Sequence, residues 1–324
     1  MKLIQIDISR IKELVTIWND ELAEQFPMRE ELLIQNSVQD ENVFFPGSQM
    51  AINEDDELLG FIVSKRWQEE LPLNIGSHIG WIQVLLVRSK YRNQGIGTFL
   101  LEHAESALKK DGASEILLGR DPWHYFPGIP TEYGQCAKWF ERKGYKCSPN
   151  EYDLIAEYDH TDVVVKPEID EVEAVILTED EQDVFLQFLH RVFPGRWEYE
   201  AIHYFKKGGT GREFVVLKKD GNIIGFCRIN DSESPMIAQN VYWAPIFAEP
   251  LGGIGPLGID QNERGNGYGL AVVQAGIYFL RTRNIKRIAI DWTGLVDFYG
   301  KLDYQVWKGY QKYSKQLGNK IASN

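Results

Sequence analysis

Two short stretches, half a chain apart, share one pattern. "YRNQGIGTFLLEHAE" begins at Tyr91 and "ERGNGYGLAVVQAGI" at Glu263. Each runs Arg, two residues, Gly, one residue, Gly, and then enters an apolar segment with helical spacing. Each also follows a short apolar run that reads as a strand, "GWIQVLLV" in one case and "GIGPLGI" in the other. A strand–loop–helix unit that occurs twice restricts the chain to architectures that contain the unit twice. With 324 residues there is room for about two domains of ordinary size.

The surroundings of the two stretches repeat as well. In the first half the spacing predicts a helix over residues 11–23, a strand pair around "NEDDE", the strand before the loop and a helix over 98–110 that Asp111-Gly112 ends. A strand "EILLG", a long loop "RDPWHYFPGIPTEYG", a short helix "QCAKWFERKGY" and a closing strand follow. The second half runs in the same order. A helix spans 179–191, a hairpin turns at Asp220-Gly221-Asn222, a helix covers 270–282, and "LVDFYGKLDY" forms the short helix. The expected fold class is mixed α/β, a mostly antiparallel sheet with flanking helices, in tandem domains of residues 1–165 and 166–324. The acidic connector "DHTDVVVKPEIDEVEA" sets that boundary.

Composition narrows the partners. Hydrophobic residues make up 44% of the chain and aromatics 12%, enough for real cores. The formal net charge of −12 argues against a nucleic-acid partner. No apolar run approaches membrane length, and "MKLIQIDISRIKELV" lacks the apolar core of a signal peptide. The three cysteines lack CxxC spacing, which fits a reducing cytoplasmic setting. The six histidines form no HxxxH group, so no metal site is expected.

The glycine loops carry the chemistry. At a helix start several N–H groups have no partner within the helix, and the helix dipole adds partial positive charge. Glycines there let backbone approach a phosphate. Neither loop reads GxGxxG or GxxxxGK[ST]. "VLLVRSKYRNQGIG" and "GPLGIDQNERGNGYG" instead resemble the phosphate loop of the GNAT superfamily of acyl-CoA-dependent N-acetyltransferases. "WFERKGY" and "FYGKLDY" resemble that family's closing "FYxKxGF" helix. The resemblance covers both halves and implies two tandem GNAT-like domains with acetyl-CoA as cofactor. It places coenzyme A against Arg92, Asn93, Gln94, Gly95, Ile96, Gly97 and Thr98 in the first half. In the second half it places it against Arg264, Gly265, Asn266, Gly267, Tyr268 and Gly269. Backbone groups of Leu85 and Val87, and of Leu257 and Ile259, would hold the pantetheine arm; for all four, core packing is the plain alternative.

The resemblance also assigns roles. The departing thiolate needs a proton, which a phenol with pKa near ~10 still carries at neutral pH. The closing helix offers Tyr299 in the second half but Phe140 in the first, and Phe has no proton to give. Asp303 replaces the family's glycine after this helix, so a different helix end is expected. For the base that takes the amine's proton, Asp291 and Glu249 are the candidates. Pairing with an arginine is the plain alternative for Asp291. Arg196, Trp197 and Tyr199, after the second half's first helix, and His124 and Tyr125, in the long loop, are candidate substrate contacts. Arg88, Lys90 and Arg92 make the first glycine loop the more basic one; the second has Asp260 and Glu263. The reading is an N-acetyltransferase acting on a small-molecule or peptide primary amine by direct attack. Its alternative is a non-catalytic acetyl-CoA sensor or interaction module.

Overall fold

The computed structural model describes residues 1–73, 75–159 and 162–318. The chain folds as two compact units. One comprises Met1–Glu151 with Gly309–Asn324, the other Tyr152–Lys308.

The N-terminal unit begins with β1 (Lys2–Gln5), α1 (Ile11–Leu22) and α2 (Glu30–Ser37), followed by β2 (Gln49–Ile52), β3 (Leu58–Arg66) and β4 (Ile79–Val87). Then come α3 (Ile96–Lys110), β5 (Glu115–Leu118), β6 (Ile129–Pro130), α4 (Gly134–Arg142) and β7 (Lys146–Glu157). The β2–β3 turn follows from its polar residues. The Asn53 side chain accepts the N–H groups of Asp55 and Glu57, at 3.0 and 2.9 Å, and holds the chain in a tight loop. Along α3, Ile96, Leu100, Leu101, Ala104 and Leu108 are buried, a stripe recurring at helical spacing. Each such leucine contributes about 1.5–3 kcal/mol of burial. Phe99 lies off the stripe and is 44% exposed. Gly112, at φ +92, ends the helix where expected.

The C-terminal unit repeats the plan. It holds β8 (Val172–Ile176), α5 (Gln182–Val192), α6 (Arg196–Lys206), β9 (Phe214–Lys219), β10 (Asn222–Asn230) and β11 (Leu251–Ile259). These lead to α7 (Tyr268–Thr282), β12 (Arg287–Thr293), α8 (Val296–Gly300) and β13 (Gln305–Gln316). The β9–β10 turn has Asp220 at φ +49 and Gly221 at +77, the conformation a two-residue hairpin requires. Asp303, at φ +63, takes the same left-handed conformation as Gly144 at +88, so the expected difference at this helix end does not arise.

Strand order shows where sequence order and fold part company. β1, β2, β3 and β4 pair antiparallel in turn, and β4 pairs parallel with β5. The strand beyond β5 is the end of β13, with Ser314 opposite Leu117 and Gln316 opposite Glu115. In the C-terminal unit β8, β9, β10 and β11 pair antiparallel, and β11 pairs parallel with β12. The strand beyond β12 is the end of β7, from Tyr152 opposite Thr293 to Glu157 opposite Arg287. Each repeat's closing strand therefore completes the other unit's sheet. The compact units divide at Tyr152 and again at Gly309, not once at 166. The sequence analysis also passed over α2, α6, β1 and β8. Among the described residues no helix is long and apolar enough to cross a membrane.

Candidate active site

In the C-terminal unit, β11 pairs with β12 only from Leu251↔Arg287 to Ile254↔Ile290. Past Ile254 it runs on beside β10 alone, to Ile259. A bulge sits at this point. Ile254 faces Ile229 but Leu257 faces Cys227, so three steps on β11 match two on β10. A bulge changes which backbone groups look outward. The Asp260 N–H donates to the Ile224 carbonyl at 2.8 Å, toward β10. By alternation, the backbone groups of Leu257 and Ile259 look away from β10 into the gap. An open strand edge of this kind can take an extended ligand as an added strand.

The strand delivers the chain to the glycine loop. Gly265 and Gly267 have φ of +90 and +79, values open to glycine and rare for other residues. A Cβ on either would meet nothing within 4 Å, so the space before the loop is clear. No side chain caps the first turn of α7, which leaves its N–H groups for an anion. The Arg264 Nε donates to the Ile259 carbonyl at 3.1 Å and ties the loop to the strand end. Asn266 braces the loop from within, its amide donating to the Glu263 carbonyl at 3.2 Å.

These elements border a cavity of about 850 Å³. Leu257, Ile259, Arg264, Gly265, Gly267, Tyr268 and Gly269 line it, as do Arg196, Trp197, Asp291 and Tyr299. Burial pushes the Asp291 carboxyl up to about 7, with the Asp153 charge adding to the rise and Arg196 opposing it. A carboxyl so tuned exchanges its proton near neutral pH. Burial also raises the Tyr299 phenol above its ordinary value, so it keeps its proton at neutral pH. Tyr299 packs edge-on to Phe298, with ring centroids 4.9 Å apart.

Around Asp291 the cavity wall is polar. Arg196 Nε donates to Glu200 Oε1 at 2.6 Å, and its guanidinium lies 4.4 Å over the Trp292 ring. The Gln239 amide donates to the same Glu200 oxygen at 3.4 Å. Behind Glu200, the buried Arg228 guanidinium stands 3.6 Å from its other oxygen. Sequence reasoning missed Glu200, Gln239 and Trp292. The signal for Glu200 was present: Arg196 and Glu200 are four residues apart on a helix.

Other candidates lie elsewhere. Glu249 is exposed and does not line the cavity. Tyr199 is wholly buried, its ring 4.3 Å from His203, and faces the core. In the N-terminal unit His124 and Tyr125 are both buried and off the cleft. His124 Nδ1 donates to the Asp121 carbonyl at 3.0 Å, and the Tyr125 and Ser37 hydroxyls are 2.7 Å apart. Buried side chains hydrogen-bonded in this way help to hold the loop together.

The N-terminal unit has the same cradle around a cleft of about 670 Å³. β4 leaves β5 after Ile82↔Leu118 and bulges at Gln83. The Arg88 N–H donates to the Leu59 carbonyl at 2.9 Å, so Leu85 and Val87 look into the gap. Arg92 Nε meets the Val87 carbonyl at 3.1 Å, as Arg264 meets Ile259. Leu85, Val87, Arg92, Asn93, Gly95, Ile96, Gly97 and Thr98 line the cleft, while Gln94 braces the loop through the Lys90 carbonyl at 3.4 Å. The counterparts of Asp291 and Tyr299 are absent, and Glu21, Tyr91, Tyr133 and Cys136 are the titratable side chains with a carboxyl, phenol or thiol along this cleft. Register puts Gly119 where the other unit has Asp291, and Phe140 stands for Tyr299. The extra basic charge read from the first loop is also neutralised. Arg88 pairs with Asp20 at 3.1 Å, Lys90 with Glu57 at 2.7 Å, and Arg92 with Glu21. In the second loop Asp260 pairs with Arg191 at 2.7 Å.

Comparison with known proteins agrees with this geometry. No curated protein matches the chain by sequence. Among solved structures the chain is similar to a GCN5-related glucosamine N-acetyltransferase region of a fungal multi-domain GH3 β-N-acetylglucosaminidase. The TM-score is 0.84 at 21% identity, over 97% of this chain and 38% of that one. It is similar to a GCN5-related N-acetyltransferase from Sphaerobacter thermophilus, with TM-score 0.70 and 14% identity over 100% and 98% of the two chains. It is also similar to a tandem GNAT protein from the clavulanic acid biosynthesis pathway, with TM-score 0.66 and 15% identity over 98% and 99%. The pattern of one family matches residues 11–125 and again residues 182–304, one stretch in each repeat. The chain belongs to the acetyltransferase (GNAT) family and is an acyltransferase.

Proposed function

We propose that the C-terminal unit transfers an acetyl group from acetyl-CoA to a primary amine, with Asp291 as base and Tyr299 as acid. The observation that carries this reading is that both residues line one cavity with an open strand edge and an uncapped glycine loop. The N-terminal cleft has the strand edge and the loop but Gly119 and Phe140 in their places. We assign that cleft binding without chemistry.

The chain offers acetyl-CoA three kinds of contact. The N–H groups at the start of α7 suit its pyrophosphate, the open edge at Leu257 and Ile259 its amide arm, and the apolar wall its thioester. When bound, it supplies an acetyl group as a thioester, whose carbonyl gathers negative charge as the amine adds and whose sulfur leaves as a thiolate. Asp291 takes the proton of the incoming ammonium, which a carboxyl near 7 does at neutral pH. Backbone N–H groups on the open edge of β11 stabilise the carbonyl charge. Tyr299 hydrogen-bonds the departing sulfur, which takes up the second proton that the nitrogen sheds as the amide forms. A phenol of raised pKa is a weak acid for complete proton transfer, yet a neutral donor at a desolvated thiolate still lowers the barrier.

The acceptor belongs to this reading as well. Arg196, Glu200, Gln239 and Thr293 give the wall both donors and acceptors, and Arg196 is already matched by Glu200. That balance suits a neutral, hydroxyl-bearing body with one ammonium group better than an anionic acceptor. The structurally similar fungal region acts on glucosamine, and we extend an amino-sugar acceptor to this chain. The test is release of free thiol from acetyl-CoA in the presence of glucosamine. The parent protein turns over, and Asp291→Asn and Tyr299→Phe each lose at least ~tenfold in kcat. Undiminished turnover in both variants removes both roles. A parent active on other amines but not on glucosamine removes the acceptor assignment alone.

A further inference from the structure

The base of the proposed reaction sits on a strand whose two edges are paired differently. β12 runs parallel to β11 on one side and antiparallel to the end of β7 on the other. The pairing with β7 is regular from Arg287↔Glu157 to Ile290↔Leu154 and then slips, so that Thr293 faces Tyr152. Asp291 and Trp292 together therefore stand opposite Asp153. A bulge of this kind re-aims the side chain it carries. Trp292 sits at φ +46, a value rare for any residue but glycine, and the bulge needs a partner that holds it. Asp153 provides one: its Oδ1 accepts the Trp292 N–H at 3.0 Å. The Asp153 residue is only 6% exposed, so this contact is not a passing surface bond.

We propose that Asp153 is a positioning residue of the active site: by holding the Trp292 N–H it fixes the bulge that turns Asp291 into the cavity, and its charge acts on that carboxyl. The proposal rests on the reading of Asp291 as base. The charged and titratable groups facing Asp291 are Asp153 from β7, Arg196 and Glu200 from α6, and Tyr299 from α8. After burial, Asp153 is the largest influence on the Asp291 carboxyl, ahead of Arg196, which acts in the opposite sense, and of Glu200. Asp153 lies between the two stretches that match the family pattern, on a strand that the first repeat contributes to the second unit. The C-terminal repeat read from its own sequence lacks this residue.

The test is a carbon-13 NMR titration of the aspartate carboxyls in the full chain. Asp291→Asn identifies the signal. In the parent the Asp291 carboxyl titrates at about 7. In Asp153→Asn, which keeps an oxygen for the Trp292 N–H but not the charge, it titrates about one unit lower, a tenfold weaker hold on the proton. The acid limb of the pH–turnover profile moves down by the same amount. In Asp153→Ala, which also frees the Trp292 N–H, the carboxyl falls further toward the ordinary aspartate range. An Asp291 that titrates near 7 in the parent and in both variants overturns the role of Asp153 and leaves the base in place. An Asp291 that titrates as an ordinary aspartate in the parent overturns the base, and this inference with it.

Discussion

Gln83 and Gly255 occupy the same place in the two repeats, each the first residue past the point where the central strand leaves its parallel neighbour. In the N-terminal unit the Gln83 side chain is buried. It accepts the Ser37 hydroxyl at 2.7 Å and donates to the Trp123 carbonyl at 3.0 Å and to Asp121 Oδ1 at 3.3 Å. Lys65, wholly buried, joins the same cluster through Asp121 at 2.7 Å and Asp40 at 2.6 Å. These contacts hold the Gln83 side chain at the wall of the N-terminal cleft. In the C-terminal unit Gly255 contributes no side chain, and Asp291 and Glu200 border an open cavity instead. At this position the N-terminal strand carries a hydrogen-bonded side chain and the C-terminal strand carries none.

Gly255 should therefore tolerate little. Its φ of +128 disfavours any side chain, and a Cβ there would stand 3.6 Å from Asp291 Oδ1. The contact itself is an ordinary one, so the cost comes from the backbone: Gly255→Ala is expected to lose at least ~tenfold in kcat as the strand beside Asp291 shifts to relieve the strained φ, because small misplacements of reacting groups are expensive. Calorimetric binding of acetyl-CoA should change little, since the glycine loop is untouched.

The closing-helix aromatics should not be interchangeable. Tyr299→Phe is expected to lower kcat by ~10²-fold with unchanged affinity for acetyl-CoA. Phe140→Tyr should not give the N-terminal unit activity, because Gly119 stands where Asp291 stands in the other unit. Thiol release measured with Phe140→Tyr in a Tyr299→Phe background should stay at the level of Tyr299→Phe alone.

Turnover should rise through neutral pH. Asp291 works as a base only when ionised, so kcat/KM should climb with pH and reach half its plateau at about 7. The sign for stability is opposite. The folded protein holds this proton well above the ~3.9 of an aspartate in the unfolded chain. The associated stability is full below that value and is lost as pH rises through about 7. Asp291→Asn should thus melt at a higher temperature than the parent at pH 8 and at the same temperature near pH 4. Thermal unfolding at the two pH values checks this.

The features legible in the sequence were local ones. The glycine loops, the hairpin turn at Asp220-Gly221 and the contrast between Tyr299 and Phe140 each depend on a few adjacent residues. The exchange of closing strands was not legible, because β7 and β13 read as ordinary strands and the chain does not state which sheet edge each completes. Asp153 was hidden for that reason. α6 was not legible because Pro194 and Gly195 interrupt the helical pattern just before it, although Tyr199 and Tyr204 are buried on the helix that follows. The burial of His124 and Tyr125 was not legible either, because a long loop rich in aromatic residues does not state which of them pack inward; the Tyr125 ring lies 4.9 Å from that of the buried Trp18.

The measurement that bears most directly on the account is turnover in two loop variants. Gly95→Glu and Gly267→Glu each put a carboxylate where one unit would hold pyrophosphate. With thiol release followed over a panel of primary amines that includes glucosamine, Gly267→Glu should abolish activity and Gly95→Glu should keep nearly all of it. Activity that survives Gly267→Glu and disappears with Gly95→Glu would contradict the assignment of the chemistry to the C-terminal unit, and Asp291 and Tyr299 would lose their roles together.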